Sequence, residues 1–199
     1  MNKFSKLFLI LPLCLIVIFG FYASNGFCEN IFEDFHKSAE QGDAEAQFFL
    51  GTAYYSVQGV LQDASESVKL FRKAAEQGHA EAQLQLGRAY LMADGVSKDS
   101  AEAVKWYRKA AEQRLEDAAY YLGMIYAYGT GVPKDEIEGL AWFNISAAFG
   151  EQLSVRSRNK LEKELGPQAS LQAQQRGKEI LKEIESARQK RLKTEEPGQ

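Results

Sequence analysis

The sequence predicts an all-α fold, an α/α solenoid of three 36-residue helix-turn-helix repeats with capping helices at both ends. Three observations carry this. Stretches beginning at Ala39, Ala75 and Ala111 align at a period of 36 residues without a gap. Their shared apolar columns fall at helical spacing. The aspartate and glycine columns between them sit where helices start and stop. A fixed period of this length marks a repeat array, in which each unit buries its apolar face against its neighbours.

The elements follow in order. Ala46, Ala82 and Ala118 share a column, as do Leu50, Leu86 and Leu122, and Tyr54, Tyr90 and Tyr126. In the first unit Ala46, Leu50, Ala53 and Tyr54 stand on one helical face, which predicts a first helix over 44–56. Gly51, Gly87 and Gly123 interrupt that helix in every unit. A mid-helix glycine costs ~1 kcal/mol against alanine, so its recurrence predicts a close neighbour. The aromatic column Phe71, Tyr107 and Phe143 supplies one. Gly59-Val60, Gly95-Val96 and Gly131-Val132 then turn the chain, with the valine plugging the helix junction.

Asp63, Asp99 and Asp135 each open an Asp-x-x-Glu box before an apolar helix. The aspartate is placed to accept from a free backbone N–H, and Glu66, Glu102 or Glu138 to reach back. Because the boxes recur at every equivalent turn, they read as caps and not as paired catalytic carboxylates. The second helix of the first unit is predicted over 63–76, with Val68, Phe71, Ala74 and Ala75 inward. Gly42, Gly78 and Gly150 end second helices in the left-handed cap position, and Arg114 occupies that column between them. Replacing Arg114 by glycine is therefore expected to stabilise the fold by up to ~1 kcal/mol.

The ends differ from the array. Lys3 and Lys6 precede an apolar run over 7–21, followed by Ala23, Ser24 and Gly26. That order is a secretory signal peptide over 1–28. The run is shorter than the ~20 residues of a spanning helix. Cleavage after Gly26 or after Cys28 both fit; an uncleaved anchor and a lipid on Cys28, which Phe27 disfavours, are the alternatives. About 170 residues then remain, enough for one domain with a sizeable core. Cys14 lies within the signal and Cys28 at its edge, so no internal disulfide is expected in an oxidising compartment. Loss of Lys3 and Lys6 takes the formal charge of −3 to about −5, which argues against nucleic acid as the partner. Residues 29–38 read as an N-terminal capping helix in which Phe35 aligns with Phe71. Residues 39–74, 75–110 and 111–146 are the repeats. Residues 151–192 hold two capping helices: one over 155–165, then Gly166-Pro167, then an amphipathic helix with Leu171, Ile180, Leu181 and Ile184 apolar. The tail over 193–199 is expected to be disordered.

The columns from Ala75 to Tyr90, then Gly-Val, aspartate and an aromatic before two alanines, resemble the Sel-one-like repeat family, a relative of tetratricopeptide repeats. The resemblance covers residues 39–150. Departures are Arg114 for glycine, Leu115 and Glu116 at the third helix start, and Val57 and Ala93 where the third copy has Gly129. It implies a right-handed superhelix, and by analogy with tetratricopeptide packing a concave groove lined by the first helices. The groove positions flank the Leu-Gly-Tyr columns. They are Glu45, Phe49, Thr52, Tyr55 and Ser56 in the first unit, Glu81, Gln85, Arg88, Leu91 and Met92 in the second, and Asp117, Tyr121, Met124, Ala127 and Tyr128 in the third. These columns vary between units where the packing columns do not. Tyrosine and methionine suit docked peptides, so the expected partner is a protein segment with apolar and basic side chains.

No catalytic constellation is legible. His36 and His79 lack cysteine partners, and there is no phosphate loop, nucleophile elbow or Cys–His arrangement. No cofactor or metal is expected. Asn144-Ile-Ser146 matches a glycosylation sequon inside a predicted helix. The basic end Arg188-Gln-Lys-Arg-Leu-Lys193 reads as a solvated helix terminus suited to the negative dipole end, the alternative being contact with a membrane or an acidic partner. The expected function is a monomeric, non-catalytic scaffold, periplasmic or secreted, touching membrane only through an uncleaved signal or lipid. The rivals are a hydrolase of cell-wall material and a membrane-tethered structural subunit.

Overall fold

The computed structural model describes residues 25–55 and 63–195, with side chains over 33–55 and 63–191. Residues 1–24, which hold most of the signal peptide expected over 1–28, Ser56 and the first Gly-Val turn lie outside the described residues. Among those described, all regular structure is helical: α1 (Asn25–Glu40), α2 (Ala44–Tyr55), α3 (Ala64–Glu76), α4 (Ala80–Met92), α5 (Ser100–Glu112), α6 (Glu116–Tyr128), α7 (Glu136–Phe149), α8 (Gln152–Leu165) and α9 (Pro167–Glu195). Helices α2–α3, α4–α5 and α6–α7 are the three repeats, stacked as a solenoid. No described helix is long and apolar enough to cross a membrane.

The glycine column closes each pair. A Cβ on Gly51 would stand 2.8 Å from the Phe71 ring, on Gly87 2.9 Å from Tyr107, and on Gly123 2.5 Å from Phe143. No real side chain fits there, so the predicted neighbour is the reason for the glycine. The alanine and leucine columns are buried around it.

Asp63, Asp99 and Asp135 cap α3, α5 and α7, each Oδ1 accepting from the backbone N–H three residues on at 2.9 Å. The expected return bond from glutamate is not made. The N–H of Asp99 donates instead to the Tyr90 carbonyl at 3.0 Å, and that of Asp135 to Tyr126 at 2.8 Å. The tight turn brings the end of the first helix over the start of the second, so a carbonyl is closer than a side chain. The glutamates are thereby released for other partners: Glu66 binds Lys69 and Glu102 binds Lys105, both at 2.8 Å.

Arg114 has φ 67° and Ala93 φ 60°, alongside Gly129 at 67°. Both non-glycine residues therefore sit in the left-handed region. A polar ladder unseen in the sequence ties successive units. Gln47 Nε2 donates to the Ala39 carbonyl and Gln83 Nε2 to that of Ala75, both at 3.0 Å. Gln77 then donates to Gln47 at 2.8 Å and Gln113 to Gln83 at 3.0 Å.

The ends depart most from expectation. Helix α1 covers the described residues from Asn25 to Glu40, with Phe35 stacked on Phe49 at 4.3 Å. Pro167 takes the first helical position of α9, which continues to Glu195, so the expected disordered tail is helical over 193–195. Its buried seam is Ala173, Gly177, Ile180 and Ile184, whereas Leu171 and Leu181 are 67% and 38% exposed. The leucines misled because leucine dominates a hydropathy pattern, while close helix packing selects small residues. The sequon lies inside α7, with Ser146 buried and its hydroxyl donating to the Glu116 carbonyl at 2.8 Å.

Candidate functional site: the face of the first helices

Helices α2, α4 and α6 present their variable columns on one face, and the two ends of that face differ. At the N-terminal edge stand Glu45, Glu81 and Asp117, each the second residue of its helix and all exposed. At the C-terminal edge stand Met92 and Tyr128, each the last residue of its helix and exposed by 73% and 55%, and Tyr55, in the column of Leu91 and Ala127, exposed by 43%. Acids in a first turn complement the helix dipole, which alone accounts for the first edge. Three exposed large side chains at the opposite ends have no such structural reason.

The caps set this register. Asp43 Oδ1 accepts from the Ala46 N–H at 3.0 Å, and His79 Nδ1 accepts from the Ala82 N–H at 3.2 Å. Leu115, in the same column, gives α6 no side-chain cap. With Nδ1 accepting, His79 carries its proton on Nε2 and faces Glu45 Oε2 at 3.1 Å, stacked on Phe48 at 4.6 Å. Glu81 lies 3.4 Å from its other nitrogen. His79 is therefore a cap whose Nε2–H holds Glu45 of the edge. In the third unit burial, then hydrogen bonding to Glu151, raises the Asp117 carboxyl above its ordinary range.

Between the first two units the apolar edge deepens into a cleft. Its floor is Val68, Phe71 and Ala89. Tyr55, Gln85, Arg88, Met92 and Asp94 stand around it. Arg88 donates to Gln85 on its own helix at 3.1 Å. Hydrogen bonding to Asp94, then burial, raises the Tyr55 hydroxyl above the usual phenol range.

The cleft thus unites Tyr55, Gln85, Arg88 and Met92 of the expected groove. Other expected positions serve packing. Phe49 stacks on Phe35, and Tyr121 stacks on buried Tyr107 at 5.2 Å. Leu91 and Met124 pack partly into the core, and the Thr52 hydroxyl returns to the Phe48 carbonyl at 3.0 Å. Ala127 is buried and is not a groove residue. Residues that sequence reasoning missed are Asp94, His79 and Glu151. Asp94 was findable: its column holds Gln58 and Thr130, so the acid is particular to this turn. Among the described residues no group of histidine, cysteine and acids could hold a metal.

Comparison with known proteins decides the family. The Sel1 repeat model matches residues 44–79, 80–115 and 116–148. The chain belongs to the Sel1 repeat family. The matched units begin at the first helices, five residues after the phase read from the alanine columns. A solved structure of a protective antigen from uropathogenic Escherichia coli strains, displaying the same repeat fold, is 36% identical with a TM-score of 0.71. The alignment covers 86% of this chain and 37% of that one. A Sel1 repeat protein from Oxalobacter formigenes is also 36% identical, TM-score 0.61, over 65% of this chain and 53% of that one. The chain therefore spans about a third to a half of these relatives' lengths. No curated protein matches it in sequence. Sel1 repeat proteins are generally non-catalytic scaffolds for protein–protein interaction.

Proposed function

We propose that this Sel1 repeat chain is a scaffold or adaptor of the bacterial envelope, or a secreted one, that binds a peptide or protein segment along α2, α4 and α6. The observation that carries the reading is the exposure of Met92 and Tyr128 in one column, with Tyr55 sharing a cleft with Met92, opposite Glu45, Glu81 and Asp117. Aromatic and thioether side chains are favoured where partners dock, and a wet acidic edge adds selectivity for basic partners. The array positions these groups, and we read it as non-catalytic. The apolar run over 7–21 supports export.

Crosslinking in the native envelope, followed by identification of captured proteins, names the partner. A Tyr55→Ala, Met92→Ala, Tyr128→Ala triple variant with unchanged helicity and melting temperature is expected to lose that capture. Retained capture by the folded variant sinks the groove. The mass of the mature N-terminus tests export, and an intact N-terminus overturns the cleaved signal.

A further inference from the structure

We propose that the segment bound here is an extended strand of alternating basic and small aliphatic side chains, anchored by one aliphatic side chain in the cleft between α2 and α4. The proposal rests on the reading of this face as a groove and adds the partner's pattern. The two edges are the reason for alternation. A chain crossing the helices in extended conformation sends successive side chains to opposite sides. One side then meets Glu45, Glu81 and Asp117, and the other meets Tyr55, Met92 and Tyr128. The edges lie roughly 15 Å apart along each helix, at 1.5 Å per residue. A lysine or arginine reaching one way and an aliphatic group reaching the other span most of that.

The cleft sets the size of the anchor. Its volume is about 20 Å³, little more than one water-sized sphere of that measure. Its floor cannot deepen, because the Phe71 ring is already pressed against Gly51. One methyl group of a small aliphatic side chain fits, and an aromatic ring does not. Charge points the same way. The face carries Glu45, Glu81, Asp94 and Asp117 against Arg88, so an acidic segment is repelled where a basic one is drawn in.

The test is fluorescence anisotropy with the full chain and labelled synthetic peptides. A Lys-Val alternating peptide is expected to bind. A peptide of the same composition with lysines and valines in separate blocks is expected to bind at least ten-fold more weakly, as is one with phenylalanine for valine. Tyr55→Ala, at an exposed position, should cut affinity about ten-fold and relax the exclusion of phenylalanine. Glu81→Lys should weaken the alternating peptide and not a Glu-Val one. If block and alternating peptides bind alike while Tyr55→Ala weakens both, the pattern is wrong and the groove stands. Equal binding of the phenylalanine peptide overturns the anchor. Tighter binding of the Glu-Val peptide overturns the charge assignment. No binding of the Lys-Val peptide, or binding that neither variant alters, overturns the proposal. Native partner capture that survives the triple variant overturns the groove with it.

Discussion

The second and third repeats share their columns and use them differently. Glu102 on α5 is paired with Lys105 at the surface. Glu138, in the same column on α7, is buried and accepts from Trp142 at 3.0 Å, Arg108 at 3.4 Å and Arg176 of α9 at 2.7 Å. Lys69 and Lys105 become Ala141, and Lys73 and Lys109 become Ile145. Both replacements are fully buried under the closing helices, where Gly177 of α9 faces the Ala141 carbonyl. One repeat is thus made into an end by exchanging two lysines for apolar residues and keeping the glutamate as a polar lock. The guanidinium of Arg176 is in turn held well above its ordinary range by that carboxylate.

The sharpest way to break the comparison is at the glutamates. Glu138→Gln leaves two guanidiniums sharing a neutral amide in a partly buried site, and should cost about 3 kcal/mol. Glu102→Gln removes one exposed pair and should cost under about 0.5 kcal/mol. Urea denaturation of the two variants decides it. Equal costs would mean that α9 does not depend on the lock.

The glycine column gives the next effect. Gly123→Ala sets a Cβ 2.5 Å from Phe143, and Gly87→Ala sets one 2.9 Å from Tyr107. Overpacking should cost about 1–3 kcal/mol in each, more at Gly123, where the surrounding core is larger and less able to shift. A smaller loss at Gly123 than at Gly87, by thermal melts, would contradict the packing order.

Much of this was legible in the sequence. The columns of alanine, leucine, glycine and aromatic residues gave the repeat core, because a packing position recurs wherever its neighbour recurs. The terminal helix was not read in its true register. Its contacts are made once, and its seam of Ala173, Gly177, Ile180 and Ile184 is half small residues with little hydropathy. The signal lay on the other partner: the lysine columns that fail at Ala141 and Ile145. The groove was readable only in part. Variable columns identify positions free of array packing, but they do not separate Tyr128, which is exposed, from Tyr121, which stacks on Tyr107.

The aromatic column itself sharpens the comparison. Tyr107 stands where the other units have Phe71 and Phe143, and its buried hydroxyl has no hydrogen-bond partner among the described residues. A buried unsatisfied hydroxyl costs about 1–3 kcal/mol, against which the ring contacts are unchanged by its removal. Tyr107→Phe should therefore stabilise the chain by about 1 kcal/mol and bring the second unit to the pattern of the third. A lower melting temperature would show that the hydroxyl is satisfied in solution.

The smallest effects lie in the left-handed caps, where the third unit has Gly129 and Gly150 and the second has Ala93 and Arg114. A side chain at positive φ costs ~1–2 kcal/mol, of which glycine's extra freedom in the unfolded chain returns up to ~1 kcal/mol. Ala93→Gly should gain the balance, about 0.5–1 kcal/mol by that difference. Arg114 has a second role, with its guanidinium 5.2 Å from the centre of the Phe149 ring. Losing that contact costs about 0.5–1 kcal/mol, so Arg114→Gly should come out near zero, below the full gain that the left-handed column alone predicts. Arg114→Gly with Phe149→Leu, compared with Phe149→Leu alone, removes the offset and should restore the gain. If Arg114→Gly by itself stabilises as much as Ala93→Gly, the arginine contributes nothing through Phe149, and its place in a glycine column is left without a compensating contact.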